Sequence, residues 1–580
     1  MTTETINLPV TQWRYTEADK DTKDQLSREL GIHPVVSQIL MSRDILDRDH
    51  AKKYLNPLLH DLPSPFLMKD MQKGIDRIIR AIINNENIMI YGDYDADGIT
   101  AIVVLMKFLK AITPHVAYYI PDRINEGYGL NRSAIDHLKS EGVNLIVTVD
   151  CGVSDVDEVA YARACGLDTI ILDHHEVPAV LPDACAVINP NQSDCRFPFK
   201  HLAGVGIAFN FLIALRGGLR KDGFWSGKYY PNLKEYLDLV ALGTIGDISP
   251  LIGENRTFTK IGLDLITENK RVGLQALKEI CGIENQVIDS NKASYNIIPR
   301  INAAGRIGSP REAVELLLTD DYHDALELAR SLDAYNRKRQ TMERAILTEI
   351  LDEINKTMDP AKKRSLVFAS RNWHPGVIGI VASRLVDRFC RPAILISLRD
   401  GVGKGSGRSI SDFNIYQGLK KCDSLLLSYG GHQYAAGISI KEQDIEEFAK
   451  LLDNIVEENI QLENMVSQTV IDAQCQLSDI NHDLLTQIAM LAPFGSRNPE
   501  PVLCARNVSI SASNIVGNNH LKMKINGDGV WCNSIWFSRG NFLHCVNKAM
   551  SDIVFTPQVN FWNGSSEIQL KMKDILINYQ

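Results

Sequence analysis

The sequence predicts an α/β protein with a parallel sheet, a second, smaller α/β domain joined to the first by a long helix, and a C-terminal β-barrel. Short apolar runs alternate with amphipathic helical segments from residue 87 to residue 175. A charged helical stretch without glycine or proline covers 323–356, and residues from 501 onward alternate apolar and polar side chains between turns. Apolar strands alternating with amphipathic helices are typical of a parallel sheet covered on both faces.

Strands and helices follow one another in regular order through the first domain. Strands are predicted at 87–92, 115–122, 144–152 and 168–175, with helices between them at 98–112, 131–142 and 154–166. Residues 1–50 are polar and weakly periodic, which indicates an N-terminal leader or a small helical cap. The first α/β domain is therefore expected at 51–322.

The second half of the chain divides into three parts. The stretch 323–356 is predicted to be one connecting helix, and the strand–helix–strand pattern that begins at "RSLVFAS" predicts a smaller α/β domain over 357–455. The turn-punctuated segment "NVSISASNIVGNNHLKMKINGDGVWCNSIWFS" predicts a small antiparallel barrel of the OB type within 456–580. A β-sandwich would show a similar alternation.

Composition and charge limit the classes of function. The 580 residues are 45% hydrophobic and 23% charged, as in ordinary globular proteins, and the net charge of -9 gives no sign of nucleic-acid binding. An anionic ligand would need a local basic site or metal ions. The eleven cysteines form no Cys-x-x-Cys pair, and neither a signal peptide nor a membrane-spanning run is present. These features predict a soluble, cytoplasmic protein with reduced thiols.

Acidic residues and histidines follow three of the predicted strands. The stretch "IMIYGDYDADGITA" carries three carboxylates on alternate residues, "LIVTVD" ends on an aspartate, and "TIILDHH" ends on an aspartate and two histidines. A further aspartate lies in "LVALGTIGDISPL". The candidate ligands are Asp93, Asp95, Asp97, Asp150, His174 and Asp247, and His175 is a candidate catalytic residue.

The carboxyl ends of parallel strands are where open α/β sheets bind ligands. A single aspartate there is commonly a helix N-cap or a turn residue. Three strand ends that all carry metal-ligand side chains favour instead a site for two metal ions, because cations would offset the repulsion among the acids. Oxygen ligands with one or two imidazoles suit Mn²⁺ or Mg²⁺ better than zinc, and the imidazoles favour Mn²⁺.

The motifs "DYDADG", "VDCG", "LDHH" and "GTIGDISPL" resemble, in order, the four motifs of the DHH phosphoesterase superfamily. With "PDRINEGYGL", "INAAGRI", "WHPGVIGIVASRL", "GSGRS", "GGHQYAAG" and "LAPFGSRNPEPV", the chain resembles the single-stranded-DNA exonucleases of that superfamily over roughly residues 50–580. The resemblance implies a DHH catalytic domain at 51–322, a DHHA1-type substrate-binding domain at 357–455 and a nucleic-acid-binding domain at 456–580.

The resemblance also implies roles for the candidate ligands. Asp95 would bind one ion and Asp97 the other, with Asp150 between them, while His174 and Asp247 would complete the shell of the second ion. His175 would lie near the scissile phosphate, so that His175 and Asp150 are the expected catalytic residues.

The first motif departs from the pattern of the small-substrate members of the superfamily. Those members carry a histidine four residues before the first ligand, where this chain has Tyr91, a poor ligand at neutral pH. Either Asp93 helps to hold the first ion, or that ion is bound more weakly and Asp93 is only a turn carboxylate.

Six further residues are expected to contact DNA. The stretch "DGVGKGSGRS" is not a Walker A loop, because Lys404 is followed by glycine, and taken alone it would be an ordinary glycine-rich turn. The resemblance implies that Ser406 and Arg408 hold a terminal 5′ phosphate. The remaining candidates, each with an ordinary surface or structural role as the alternative, are Arg123 and Tyr128 for phosphate contact and base stacking, Arg306, and His432 facing the metal ions.

The implied activity is 5′-to-3′ exonucleolytic cleavage of single-stranded DNA in recombination and repair. Two Mn²⁺ or Mg²⁺ ions would drive hydrolysis of the phosphodiester bond, and nucleoside 5′-monophosphates would be released. The implied partners are a single-strand-binding protein and a RecQ-type helicase, and the chain is expected to be a monomer. The alternatives are a phosphodiesterase for oligoribonucleotides or cyclic dinucleotides and an inactive DHH scaffold of the Cdc45 type.

Overall fold

The computed structural model describes residues 12–17, 19–123, 126–226, 230–357, 362–461, 465, 468–546, 550–562 and 565–577. The chain divides into two compact units. The first unit consists of residues 20–336 together with 486–500, and the second consists of residues up to 19, 337–485 and 501–580. Each unit is therefore assembled from segments that are distant in the sequence.

The N-terminal region contains a strand and three helices. Strand β1 (Gln12–Tyr15) belongs to the second unit, where it pairs in parallel with residues 468–471. The helices that follow are α1 (Lys20–Leu30), α2 (Pro34–Met41) and α3 (Arg48–Leu55). The predicted helical cap therefore corresponds to these helices, whereas residues 1–11 of the predicted leader lie outside the described part of the chain.

The first unit is built on a five-stranded parallel sheet with the order β3-β2-β4-β5-β6. In chain order its elements are α4 (Met71–Ile83), β2 (Ile88–Gly92), α5 (Ala96–Lys110), β3 (Val116–Tyr119), α6 (Arg132–Ser140), β4 (Leu145–Val149), α7 (Val156–Ala164), β5 (Asp168–Leu172), β6 (Ala186–Ile188) and α8 (Gly204–Lys221). Every residue of β2 and β4 is buried, as expected for the central strands of a covered sheet. The predicted parallel sheet is confirmed, and β6 is an additional edge strand that was not predicted.

The remainder of the first unit is helical. It comprises α9 (Leu237–Gly246), α10 (Gly253–Glu268), α11 (Val272–Ile280), α12 (Ser290–Lys292), a π-helical turn (Ala293–Ile297), α13 (Ile298–Ile307) and α14 (Pro310–Leu318). Residues 486–500 fall inside the range expected for the barrel domain, but they belong to this unit. The buried Asn498 accepts hydrogen bonds from Arg43 and Tyr54, and the buried Arg256 donates to the carbonyl oxygens of Leu491 and Met490.

The long helix α15 (Tyr322–Thr357) leads into the α/β part of the second unit. This part contains β7 (Leu366–Ser370), α16 (Pro375–Phe389), β8 (Ala393–Arg399), β9 (Val402–Arg408), α17 (Ile415–Lys421), β10 (Leu426–Gly431), β11 (Ala435–Lys441) and α18 (Ile445–Asn459). The sheet order is β10-β11-β9-β8-β7, with only the β7–β8 pair parallel. The predicted connecting helix and smaller α/β domain are confirmed.

The C-terminal part of the second unit is a closed barrel. Strand β12 (Gln468–Ile471) pairs with β1 outside the barrel sheet, and α19 (His482–Ala489) spans the boundary between the two units. The barrel sheet contains β13 (Ala473–Gln474), β14 (Leu503–Val516), β15 (His520–Gly527), β16 (Val530–Trp536), β17 (Met550–Trp562) and β18 (Ser565–Ile577). Strand β14 pairs with both β15 and β17, which closes the sheet and rules out the alternative sandwich. Among the helices of the described ranges, none combines the length and the apolar character needed to cross a bilayer.

Candidate metal centre

The acidic residues lie at the carboxyl edge of the first sheet. Strands β2, β4 and β5 are neighbours in the sheet, and each ends immediately before one of the predicted acidic motifs. Parallel strands bring these motifs to one edge. The sheet therefore gathers residues that are up to about 80 positions apart in the sequence.

Asp95 and Asp97 are positioned by the ends of two helices. Asp95 caps α5, because its Oδ1 accepts hydrogen bonds from the backbone N–H groups of Asp97 (2.9 Å) and Gly98 (3.2 Å). The carboxylate of Asp97 accepts from the backbone N–H groups of Gly204 (2.6 Å) and Val205 (2.9 Å) at the start of α8. A helix N-terminus stabilises a carboxylate, so both side chains are oriented by the fold itself.

Gly204 is needed for a close approach between α8 and the end of β4. A Cβ atom at this position would lie 2.8 Å from Cβ of Asp150 and 2.9 Å from its Oδ1. Any larger residue would therefore displace either the helix or Asp150. Sequence analysis missed Gly204, although "GVG" opening a helix is the kind of signal that could have indicated it.

His174 lies among three carboxylates. Its Nε2 is 3.0 Å from Oδ1 of Asp150 and 3.9 Å from Oδ2 of Asp97, and its Nδ1 is 3.9 Å from Oδ2 of Asp247. The contact with Asp150 lacks hydrogen-bond geometry, since both atoms are buried without a hydrogen-bond partner. The imidazole and the carboxylates thus surround common points in space and are not aimed at one another.

The ligand atoms form overlapping groups whose members lie within 4.8 Å of one another. One group contains Asp93, Asp95 and Asp150, and a second contains Asp97, His174 and Asp247. A third links Asp150 with His174 and His175. The structure therefore brings the six predicted ligands together with His175, and it places Asp93 in the group of Asp95 and Asp150.

The residues fit divalent metal ions. Oδ1 of Asp93, Oδ1 of Asp150 and Nε2 of His174 are buried and have no hydrogen-bond partner. Such atoms carry a desolvation cost that a bound cation would offset. A set of carboxylate oxygens with one or two imidazole nitrogens is the ligand chemistry of Mn²⁺ and Mg²⁺.

The electrostatics of the site lead to the same conclusion. Burial, reinforced by the charge of Asp95, raises the pKa of Asp93 to about 8, and burial together with Asp247 raises the pKa of Asp97 to about 7. Burial and the charge of Asp97 also raise the pKa of Asp150 well above its ordinary value. The surroundings of these three carboxyl groups therefore favour the protonated form. Bound metal ions would supply positive charge that favours the ionised form.

Asp173 differs from these acids, and sequence analysis did not assign it a role. Its Oδ1 accepts hydrogen bonds from Nδ1 of His175 (2.7 Å) and from the backbone of His174 (2.7 Å), and its Oδ2 accepts from the backbone of Val153. Although burial opposes ionisation of Asp173, these bonds lower its pKa to about 2. Burial likewise opposes protonation of His175, but Asp173 outweighs it and raises the pKa of His175 to about 9. Asp173 therefore orients His175 and keeps it cationic.

Three other side chains support the two histidines. The hydroxyl of Tyr128 donates to the carbonyl oxygen of Asp150 (2.9 Å) and lies 3.2 Å from Nδ1 of His175. The side-chain amides of Asn189 and Asn191 donate to the carbonyl oxygens of His175 and His174, at 2.9 and 2.6 Å. Both asparagines lie in the "NPNQ" segment, whose contacts could not be predicted without the fold.

Tyr91 faces away from the ligand groups. Its hydroxyl donates to the carbonyl oxygen of Gly129 (2.8 Å), and its ring stacks on Tyr119 with centroids 5.3 Å apart. It is completely buried in the apolar core of the sheet. The position that is a histidine in the small-substrate proteins thus has a packing role in this chain.

Two predicted arginines lie close to Tyr94, which follows Asp93. The guanidinium carbon of Arg123 is 4.9 Å from the centroid of the Tyr94 ring. Burial raises the pKa of Tyr94, while Arg123 and Arg306 oppose this rise through their charges. Arg123 also opposes the rise in the pKa of Asp93, so it acts electrostatically on the centre, whereas Arg306 acts on the neighbouring Tyr94.

Ser406, Arg408 and His432 lie in the second unit. Nη1 of Arg408 donates to Oγ of Ser406 (3.1 Å) and to the carbonyl oxygen of Gly407. A Cβ atom on Gly379 of α16 would lie 2.7 Å from Oγ of Ser406 and 3.2 Å from Nη2 of Arg408. The two side chains are thus packed beneath the N-terminal half of a helix, which sequence analysis did not foresee. His432 lies in the exposed turn between β10 and β11.

A five-stranded parallel sheet with overlapping carboxylate–histidine groups at its carboxyl edge defines a metal-dependent phosphoesterase of the DHH class. Three family models match the chain: the DHH family N-terminal domain at residues 87–244, the DHHA1 domain at 363–458 and the RecJ OB domain at 471–574. The chain belongs to the RecJ family.

The relatives that show this carry the name single-stranded-DNA-specific exonuclease RecJ. The protein from Bacillus subtilis is 36% identical over 98% of this chain and 71% of its own length. The protein from Escherichia coli is 33% identical over 93% of this chain and 96% of its own length.

A solved structure supports the same relationship. RecJ from Thermus thermophilus in complex with Mn²⁺ is 27% identical, with a TM-score of 0.83 over 98% of this chain and 80% of that one. The same protein in complex with Mg²⁺ has a TM-score of 0.78. Both ions have the chemistry expected from the ligands in this chain.

Proposed function

We propose that this protein is a metal-dependent exonuclease that hydrolyses single-stranded DNA from the 5′ end and releases nucleoside 5′-monophosphates. The observation that carries the proposal is the pair of ligand groups, one with Asp93, Asp95 and Asp150 and the other with Asp97, His174 and Asp247. When bound, two Mn²⁺ or Mg²⁺ ions would supply a water of lowered pKa and neutralise charge on the phosphoryl oxygens.

The chain prepares the site before any ion or substrate arrives. The amides at the start of α5 and α8 hold Asp95 and Asp97. The hydroxyl of Ser249 donates to Oδ2 of Asp247 at 2.6 Å. Ligands held by hydrogen bonds in this way lose little freedom on binding, and this preorganisation favours both ion affinity and correct geometry.

His175 is proposed to act on the leaving group. Its Nδ1 proton is directed to Oδ1 of Asp173, and the raised pKa keeps a second proton on Nε2 at neutral pH. From Nε2 the imidazolium can donate to a phosphoryl oxygen or to the 3′ oxygen of the terminal nucleotide as the bond to phosphorus breaks. Asp173 acts through His175 and is a positioning residue.

Binding of the strand is proposed to use the basic residues of both units. Arg408 and Ser406, which pack against Gly379 of α16, have the chemistry of a phosphate pocket, because a guanidinium binds an anion in a bidentate fork and a hydroxyl can donate to it. We assign the 5′ phosphate to this pocket, with Arg123, Arg306 and His432 contacting other phosphates. Tyr128 is assigned to position His175 and to stack on a base with its exposed ring.

The cellular role is proposed from the RecJ relationship. The OB barrel would bind the single strand. A single-strand-binding protein and a RecQ-type helicase would deliver that strand in recombination and repair in the cytoplasm. Direct binding to each partner can be measured with the purified chain.

Digestion of end-labelled oligonucleotides tests the proposal. A strand labelled at its 5′ end should release the label as a mononucleotide at once, and a strand labelled at its 3′ end should release it only after complete digestion. Both reactions should require Mn²⁺ or Mg²⁺ and should slow greatly when the strand is annealed. Equal rates on duplex DNA, or faster cleavage of RNA or cyclic dinucleotides, would contradict the proposal.

A further inference from the structure

The segment after α9 contains a strained residue beside the metal centre. Ile248 has a φ angle of +60° and directly follows Asp247. Thirteen non-glycine residues in the described ranges have a positive φ, and most of them are aspartate or asparagine, which tolerate this conformation. Ile248 is the β-branched member of that set, and a β-branched residue at positive φ is a genuine outlier.

The strain arises from the way in which α9 ends. The backbone N–H of Ser249 donates to the carbonyl oxygen of Thr244 (3.2 Å), and the N–H of Ile248 donates to that of Ile245 (3.1 Å). This is a Schellman motif, whose left-handed position is usually a glycine. The turn brings the Ser249 hydroxyl to the carboxylate of Asp247 and so positions a candidate metal ligand. A glycine at position 248 would form the same turn with less strain.

Packing within the protein does not offset the strain. The side chain of Ile248 is 74% exposed, the second most exposed of the large apolar residues identified in the described ranges after Tyr295. An isoleucine at a strained position would normally be explained by the favourable burial of its side chain. A single exposed apolar residue is ordinary, but one that is also held at a positive φ would gain most from a contact with a molecule that binds to the protein.

We infer that Ile248 is a substrate-positioning residue that packs against a base of one of the two nucleotides flanking the scissile phosphate. Consecutive Cα atoms are about 3.8 Å apart, so this apolar side chain begins within one residue of a candidate metal ligand. The partner at that place must be part of the substrate, and a base offers an apolar face whatever its sequence. A strained residue maintained at a functional site is consistent with this role.

The inference rests on the proposed nuclease function and deepens it. The decisive variants are Ile248→Gly, which removes both the strain and the contact, and Ile248→Asn, which tolerates the same backbone conformation but is polar. Asn269→Gly is the matched control, because Asn269 ends α10 in the left-handed conformation and belongs to none of the ligand groups.

Steady-state kinetics and melting temperatures distinguish the outcomes. Ile248→Gly should raise KM for single-stranded DNA about five- to tenfold, as expected for loss of partial burial of an isoleucine, and should leave the melting temperature equal or higher. Asn269→Gly should change neither kinetic constant. The increase in KM should disappear on oligonucleotides whose two terminal nucleotides are abasic, because such substrates offer no base to contact.

Two results would overturn the inference. One is an unchanged KM in both Ile248 variants, and the other is an increase in KM that persists on abasic substrates. A wild-type protein that does not degrade single-stranded DNA would instead contradict the proposed function, so the two failures are distinguishable.

Discussion

Buried carboxylates have opposite surroundings in two regions of the first unit. In the helical region, Asp238 receives a bidentate pair of bonds from Arg271 at 2.6 and 2.9 Å, and Asp333 receives one from Arg300 at 3.0 Å. At the carboxyl edge of the sheet, Asp93 and Asp150 are equally buried, yet each has an oxygen without a hydrogen-bond partner. The arginine-paired acids of this unit are part of the architecture, whereas the clustered acids with unpartnered oxygens at the sheet edge fit a cation from outside the protein.

The largest expected effect is that of Asp150→Asn. This substitution removes a shared ligand and should lower the rate of DNA hydrolysis at least about 10³-fold, because stabilisation of the transition-state charge depends on the ions. It should leave the stability of the metal-free protein unchanged or raise it, since it removes a buried charge. Exonuclease assays, urea unfolding and Mn²⁺ binding followed by electron paramagnetic resonance would measure the three effects.

Asp157→Ala is the control for that substitution, because Asp157 is an exposed acid in the first turn of α7. It should leave activity and Mn²⁺ binding intact. Full activity of Asp150→Asn would remove Asp150 from the proposed site.

Asp238→Asn should have the opposite profile. It leaves Arg271 buried without its counter-charge, which typically costs about 3–5 kcal/mol of stability. Affinity for Mn²⁺ should not change at a temperature where the variant is folded. If urea unfolding shows that the free energy of unfolding falls by less than about 1 kcal/mol, this ion pair is less well shielded from water than its burial suggests.

Asp173→Asn tests the one acid of the metal centre that has its own cationic partner. Without the charge of Asp173, the pKa of His175 should fall, because that charge and hydrogen bond are what raise it against burial. We expect kcat to fall about 10- to 100-fold, in the range typical for loss of a residue that orients a ligand. The alkaline limb of the pH–rate profile should move to lower pH, and an unchanged profile would exclude the assigned role of His175.

Per pH unit and retained proton, the smallest expected effect is a pH dependence of metal-free stability. Burial raises the pKa of Asp93 to about 8 and that of Asp97 to about 7, above the value of about 3.9 for an unfolded aspartate. The folded chain therefore binds more protons than the unfolded chain between about pH 4 and 8, and its stability should fall as pH rises through this window, by at most about 1.4 kcal/mol per pH unit for each retained proton.

Melting curves between pH 6 and 8.5 with and without Mn²⁺ would measure this dependence. Bound ions should flatten it, and calorimetric titration in two buffers of different ionisation enthalpy should show net proton release on binding. Absence of proton release would mean that the carboxylates are already ionised in the metal-free protein.

The sequence was sufficient to predict the parallel sheet, the three acidic strand ends and the barrel, because alternation and strand length are local properties. It could not show that the N–H groups of Gly204 and Val205 donate to Asp97, because a backbone donor does not depend on the type of residue that carries it. The contact of Asn191 with His174 was also hidden, because it depends on how the chain turns after β6. The pairing of β1 with residues 468–471 joins segments about 450 positions apart and has no local signal.

The segment 486–500 determines when the first unit can complete its folding during synthesis. The buried guanidinium of Arg256 donates to the carbonyl oxygens of Tyr54, Leu491 and Met490, so two of these three acceptors are missing from the first unit until residues 486–500 have been synthesised. A chain still held on the ribosome at α15 would therefore contain every candidate metal ligand and yet an incomplete unit to hold them. Nuclease activity should accordingly begin only after residues 486–500 have been synthesised and packed against the unit.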